Sequence, residues 1–197
     1  MYDHRTNTKW NHSTGRALAG PLAGRRLEIL PSRLYRWKNW KNQHPDSRVL
    51  LGTKRQGFMG EFVAEREPEN LGISTGRGPR ATLYPYKTLL EHEVLNDTVL
   101  GKPVLASIDP NSHQTAIFSR EVGNRILTFH PVETANADEP LMRDTETKTL
   151  WHRGTGRALS GPLEGKKLDR EVAVTWRIER WIDIYDQGNI YGKDQTP

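Results

Sequence analysis

Apolar residues recur at helical spacing in three parts of this chain and form short, punctuated runs nearly everywhere else. Leu34, Trp37 and Trp40 fall on one helical face, and Pro45 stops that run. A second helix is expected after Pro85, whose fixed φ suits a first turn, with Tyr86, Leu89, Leu90 and Val94 as its apolar face. A third is expected where Val174, Ile178, Trp181, Ile182 and Tyr185 stand at i, i+4, i+7, i+8 and i+11. Strands are expected at 81–84, 103–108, 115–118 and 125–129, with turns at Asn111–Gln114 and Gly123-Asn124. Residues 54–80, interrupted by Gly57, Gly60, Pro68, Gly72, Gly76, Gly78 and Pro79, read as a connector or degenerate segment. The pattern predicts an α+β protein, predominantly short antiparallel β-strands with two or three amphipathic helices.

A repeat reorganises that picture. The stretch WNHSTGRALAGPLAGRRLE from Trp10 to Glu28 returns without a gap as WHRGTGRALSGPLEGKKLD from Trp151 to Asp169, identical at 11 of 19 positions. Its shared scaffold is Trp10, Gly15, Gly20, Pro21 and Gly24 in the first copy, and Trp151, Gly156, Gly161, Pro162 and Gly165 in the second. Glycines at fixed offsets supply positive φ or close backbone approach, and proline fixes a turn. Each copy is preceded by a polar hairpin (YDHRTNTKW; MRDTETKTLW) and followed by a helical signal, with Trp40 matching Trp181. The tryptophans are expected to be core anchors rather than a ligand cage. The chain divides accordingly into a partial repeat unit at 1–51, a connector at 52–71, a complete unit at 72–192 and a tail at 193–197. A partial copy of that size has too little core to stand alone, so packing of the two copies on one another is expected.

Composition narrows the possibilities. The 197 residues contain no Cys, which removes disulfides, thiolate metal sites and cysteine nucleophiles. No apolar run approaches the ~20 residues of a membrane span, and the first 30 residues have no apolar core of a secretory signal. The net charge of +5 is uneven, because residues 1–57 hold 12 Lys or Arg against 3 Asp or Glu. A basic quarter of this kind attracts anionic polymers, yet its cations are scattered among turn residues without a reading motif, which disfavours nucleic acid.

Several motifs in order resemble a known family. They are Tyr84-Pro85, then His92-Glu93-Val94-Leu95-Asn96-Asp97-Thr98-Val99-Leu100-Gly101-Lys102-Pro103-Val104, then Leu127-Thr128-Phe129. After these come Met142-Arg143-Asp144-Thr145-Glu146-Thr147, Leu150-Trp151, Thr155-Gly156-Arg157-Ala158 and Gly161–Gly165. From about residue 72 to 190 the chain resembles the bacterial and archaeal domain-of-unknown-function family 3179, and residues 1–51 repeat the final third of that pattern. The resemblance implies no known activity. Where the family pattern has Cys-Pro-x-Cys, this chain has Asp109-Pro110-Asn111-Ser112, so the soft-metal or redox chemistry open to a thiol pair is lost. Against that pattern Met1-Tyr2-Asp3 aligns within a motif, so the front of the first copy is expected to be missing. Either the chain is a fragment of a tandem protein or its start lies upstream, with any export signal out of view.

The candidate chemistry gathers in the part that is not repeated. His92, Glu93, Asp97, Asp109 and His113 are candidate acid–base groups, and His92 and Asp109 candidate ligands for a divalent metal. His92-Glu93 lacks the second histidine of a zinc-protease helix, since position 96 is Asn. The plainer reading has Asn96 and Asp97 capping a helix end and His92 bonded to backbone. Ser112-His113 has no placed acid, and no phosphate-binding loop is present. Arg16 and Arg157 read as solvated arginines packing on Trp10 and Trp151. The leading expectation is a non-catalytic structural or binding module, a cysteine-less member of the resembled family, with no cofactor implied. One alternative is a metal-dependent or acid–base enzyme centred on His92, Glu93 and Asp109; a second is polyanion binding through residues 1–57.

Overall fold

A computed structural model describes residues 1–11, 14–28, 37–48, 68–133 and 140–193. The chain forms two compact units, Met1–Pro31 and Ser32–Pro197. In the first, β1 (Lys9–Trp10) pairs antiparallel with β2 (Ala17–Ala19), and Tyr2 bridges back to Lys9. The polar turn ahead of β1 is built around one carboxylate. Asp3 accepts hydrogen bonds from the Thr6 amide (2.6 Å), the Thr6 hydroxyl (2.7 Å) and Trp10 Nε1 (2.9 Å). These donors, the indole first, hold the Asp3 carboxyl well below the usual carboxylate range.

The second unit is layered. Its central sheet is the meander β5 (Val94–Val99), β6 (Lys102–Ile108) and β7 (Thr115–Ser119). Strand β6 is apolar on both faces because both are covered. Val104, Ala106 and Ile108 face one core with Tyr84, Tyr86, Leu89 and Ile117, whereas Leu105 faces another with Phe118, Phe129, Met142 and Trp151. The first core is closed by the sheet β14 (Val174–Arg177), β3 (Leu71–Thr75), β4 (Thr82–Pro85) and β15 (Asn189–Ile190), together with α2 (Tyr86–His92). All its pairings are antiparallel except β15 with β4. A smaller cluster joins that sheet to α3 (Ile178–Ile184): Leu83 of β4, Ala81 just before it, and Trp181 of the helix. The second core is closed by β10 (Phe129–Val132), β11 (Leu141–Asp144), β12 (Leu150–His152) and β13 (Ala158–Ser160). A short ribbon, β8 (Glu121–Val122) with β9 (Arg125–Ile126), helix α1 (Trp37–Gln43) and two 3-10 turns, Pro68–Asn70 and Gly78–Arg80, complete the described elements.

Strands β11 to β13 carry the second repeat, and they reproduce the main hydrogen bonds of the first unit. Asp144 takes the place of Asp3, accepting from the Thr147 hydroxyl (2.8 Å) and Trp151 Nε1 (2.9 Å). Thr149 likewise repeats Thr8, its hydroxyl receiving the Leu163 amide at 3.2 Å where Thr8 receives Leu22 at 3.3 Å. Strand-rich architecture with several small antiparallel sheets and three helices among the described residues agrees with an α+β reading.

Particular elements differ from the sequence pattern. Val94 and Val174 lie in strands rather than at the ends of helices, their helical spacing to the following or preceding residues being coincidental. Helix α2 stops at His92, two residues short of Val94, because Glu93 takes a positive φ of 59°. The expected strand at 125–129 is two short strands separated by Leu127-Thr128. Leu71–Thr75, inside the glycine-rich segment read as a connector, is buried throughout and sits mid-sheet. Trp10, Trp151 and Trp181 are buried anchors, but Trp37 is 47% exposed. Leu34, Gly57, Gly60 and most of the acidic stretch around 136–140 lie outside the described residues.

Candidate functional site

Strand pairing sets the positions of the candidate groups. The amide of Ile108 donates to the Glu93 carbonyl (3.0 Å), which places Glu93 beside the loop 109–114 that leaves β6. That loop closes on itself: the Asp109 amide donates to the Gln114 carbonyl (2.9 Å) and the His113 amide to the Asp109 carbonyl (2.8 Å). The Asp109 carboxylate accepts from the Asn111 amide (2.9 Å) and from the Ser112 hydroxyl. His113 adopts φ 55° at the end of this turn. So Asp109 and Ser112, at the positions of the family pattern's two cysteines, are partners in a tight polar turn.

Across from this turn stands Arg153, only 5% exposed, which forms an ion pair with Glu93. Its carbonyl accepts the Ser107 hydroxyl (3.2 Å), and its amide donates to the Pro140 carbonyl (2.8 Å). The next carbonyl, Gly154, accepts from Gln114 Nε2 (3.3 Å) and from Arg170 (2.8 Å). Arg170 also lies over the Phe118 ring, 5.1 Å from its centre. A Cβ added at Gly156 would stand 2.7 Å from Phe118, so the Thr155-Gly156 turn packs on that ring only because position 156 is glycine. The result is a seam of polar and charged groups where the second repeat meets the central sheet.

Glu93, Asp109 and His113 are therefore gathered at one end of β5 and β6. Asp97 is not among them: it pairs with Val104 towards the opposite end of that hairpin and accepts the Tyr84 hydroxyl at 2.8 Å. Burial first, and then this carboxylate, push the Tyr84 hydroxyl well above its ordinary pKa. Asn96 and Asp97 lie in a strand and do not cap a helix; Asn96 exchanges two side-chain bonds with the Phe129 backbone, at 2.8 and 2.9 Å. His92 is exposed on the last turn of α2, and its side chain has no hydrogen-bond partner among the described residues. No group of three or more His, Asp or Glu side chains is placed to hold a metal ion among the described residues.

The residues that sequence reasoning missed are Arg153, Gln114, Ser107 and Arg170. One signal was available. The repeat offset puts His12, Ser13 and Ile29 where the second copy has Arg153, Gly154 and Arg170. These three are among the positions where the copies differ, and in the second copy they supply groups that serve the seam. No helix among the described residues is long and apolar enough to cross a membrane.

No curated protein and no solved structure matches the chain. The family model described as "Protein of unknown function (DUF3179)" matches residues 1–65 and again 69–196, nearly the whole length in two passes. With the duplicated hairpin and the ordered motifs around the central meander, this chain belongs to the protein family of unknown function 3179.

Proposed function

We propose that this protein is a non-catalytic structural or binding module, in which the place of the family pattern's thiol pair has become a structural fastening. The observation that supports this most directly is the Asp109–Ser112 hydrogen bond beside the Glu93–Arg153 ion pair. Catalytic carboxylates are held ready for a substrate, whereas Asp109 accepts from its own turn and Glu93 is occupied by a buried guanidinium. His92 faces solvent one residue from Glu93, outside this bonded set.

The test is turnover by purified protein on ester, phosphoester, peptide and glycoside substrates, with and without added divalent metal, alongside His92→Ala and Asp109→Asn. The expected result is no turnover above the uncatalysed rate. Turnover that either substitution abolishes, or stoichiometric metal lost on substituting Asp109, would establish the enzyme reading instead.

A further inference from the structure

The two repeats share a backbone but differ at their hairpin tips. In the first, residues 17–24 read ALAGPLAG, eight positions without a polar or charged side chain. Leu18 is 52% exposed, and Ala19, Gly20, Pro21, Ala23 and Gly24 are exposed with it. An apolar tip in water is a marker of a binding surface, above all when charges ring it. Here the ring is basic. Arg16 and Arg26 face each other across the ladder, with Arg25 and Lys9 nearby, all exposed and none in an ion pair among the described residues.

The Arg16–Arg26 juxtaposition costs the free protein stability. The bonds on either side, Leu27 amide to Gly15 carbonyl (2.9 Å) and Ala17 amide to Arg25 carbonyl (2.9 Å), make it a non-hydrogen-bonded pair, the closer kind of cross-strand neighbour. Like charges directly opposite repel unless an anion lies between them. The tip is also rigid. Ala23 donates to the Gly20 carbonyl (3.0 Å), Gly24 to Ala17 (3.1 Å), and Leu22 to the Thr8 hydroxyl (3.3 Å). A surface held in one conformation loses little entropy on binding.

We infer that the tip Ala17–Gly24, with its collar of Arg16, Arg25 and Arg26, docks on an anionic lipid surface. The tip enters the headgroup region while the arginines meet headgroup phosphates. A nucleic acid or sulfated polysaccharide would use the arginines but leave Leu18 and Pro21 in water, so the uncharged tip favours lipid. The second copy keeps the basic pair, Arg157 opposite Lys167, and an exposed Leu159, so the contrast lies in the tip alone: it reads ALSGPLEG, with Ser160 and an exposed acid, Glu164, on the same scaffold. This inference names the ligand for the binding-module reading and rests on it, but vesicle binding and turnover are separate measurements, so either can fail alone.

The experiment is co-sedimentation of the full chain with phosphatidylcholine vesicles, with and without about a third phosphatidylserine. Binding is expected only with the anionic lipid, weakened by salt, and Leu18→Trp emission is expected to shift to the blue on binding. Each cation near such a surface contributes about fivefold in partitioning, so Arg16→Glu with Arg26→Glu should lower it by at least about twentyfold. Ala23→Glu, which copies the second tip, should lower it by at least about fivefold. Circular dichroism identifies any variant that fails to fold; Leu18→Ser, at an exposed site, then replaces it and is expected to weaken binding too. Absence of vesicle binding, equal binding to neutral vesicles, or binding indifferent to Ala23→Glu and Leu18→Ser would overturn the inference. Heparin or DNA binding that needs the arginines but tolerates Leu18→Ser would overturn it in favour of a general polyanion surface.

Discussion

At Gly161 an added Cβ would stand 2.9 Å from the Thr149 Cα, and the residue's φ is +105°. Gly20 has the same problem in the first repeat, 2.8 Å from the Thr8 Cα at φ +104°. In both, the obstacle is backbone and cannot swing aside. Gly165 also has a positive φ, +81°, but open space around it. Gly161→Ala should therefore destabilise by at least about 2 kcal/mol, and Gly165→Ala by about 1 kcal/mol, the conformational part alone. Urea denaturation of the pair measures the difference, and equal losses would mean the close approach carries no weight. Asp3 supports a second prediction at this scale. Its carboxyl is held below the usual range by Trp10 and Thr6, so the folded first unit binds fewer protons there than the unfolded chain. That contribution is present above an unfolded pKa of about 4 and is lost as the pH falls below it. The Trp10 indole N–H resonance should persist to below pH 4 and then shift, and Asp3→Asn should remove that acid-dependent transition.

Among the elements, the hairpin β5–β6 turns at Leu100-Gly101, with φ values of 55° and 77°. Two left-handed residues make the mirror-image turn that suits strand twist, and leucine is a poor occupant of its first position. Leu100→Asn should stabilise by about 1 kcal/mol, read as a shift in denaturation midpoint at unchanged slope. This turn also explains why β5 escaped sequence reading. Asn-Gly would have announced it, whereas Leu-Gly did not, and Val94 happened to extend the helical spacing of Tyr86, Leu89 and Leu90. The elements that were legible carried their own punctuation: Pro85 opening α2, Gly123-Asn124, and the repeat's glycines. The Glu93–Arg153 pair had no such local signal, because its partners are 60 residues apart in the chain. Glu93→Gln should cost about 2–4 kcal/mol by leaving a buried guanidinium without its counter-charge. Arg153→Met made in the Glu93→Gln background should recover part of that loss, which a double-mutant cycle measures.

For the molecule as a whole, every residue of the three core clusters found among the described residues lies between Leu71 and Tyr191. Deleting Met1–Pro31 should leave the second unit with a cooperative thermal transition and its near-ultraviolet dichroism intact; loss of either would show that the first unit completes that fold. The repeat thus made the duplicated scaffold legible from sequence, but not the layering, which depends on strands paired across long separations. Strand β3 is the clearest case. Its glycine-containing sequence looked like a linker because its partner, β14, arrives only at Val174–Arg177, with Thr175 opposite Ile73. That register has a consequence for how the protein is made. On the ribosome, β3 emerges roughly a hundred residues before one of its two neighbours, and its apolar side chains must wait for it. Long-range pairings of this kind slow folding into the range of milliseconds to seconds and prolong the exposure of aggregation-prone edges. A nascent chain arrested before Val174 should accordingly be sensitive to protease and recruit chaperone, and one arrested past Tyr191 and clear of the exit tunnel should not.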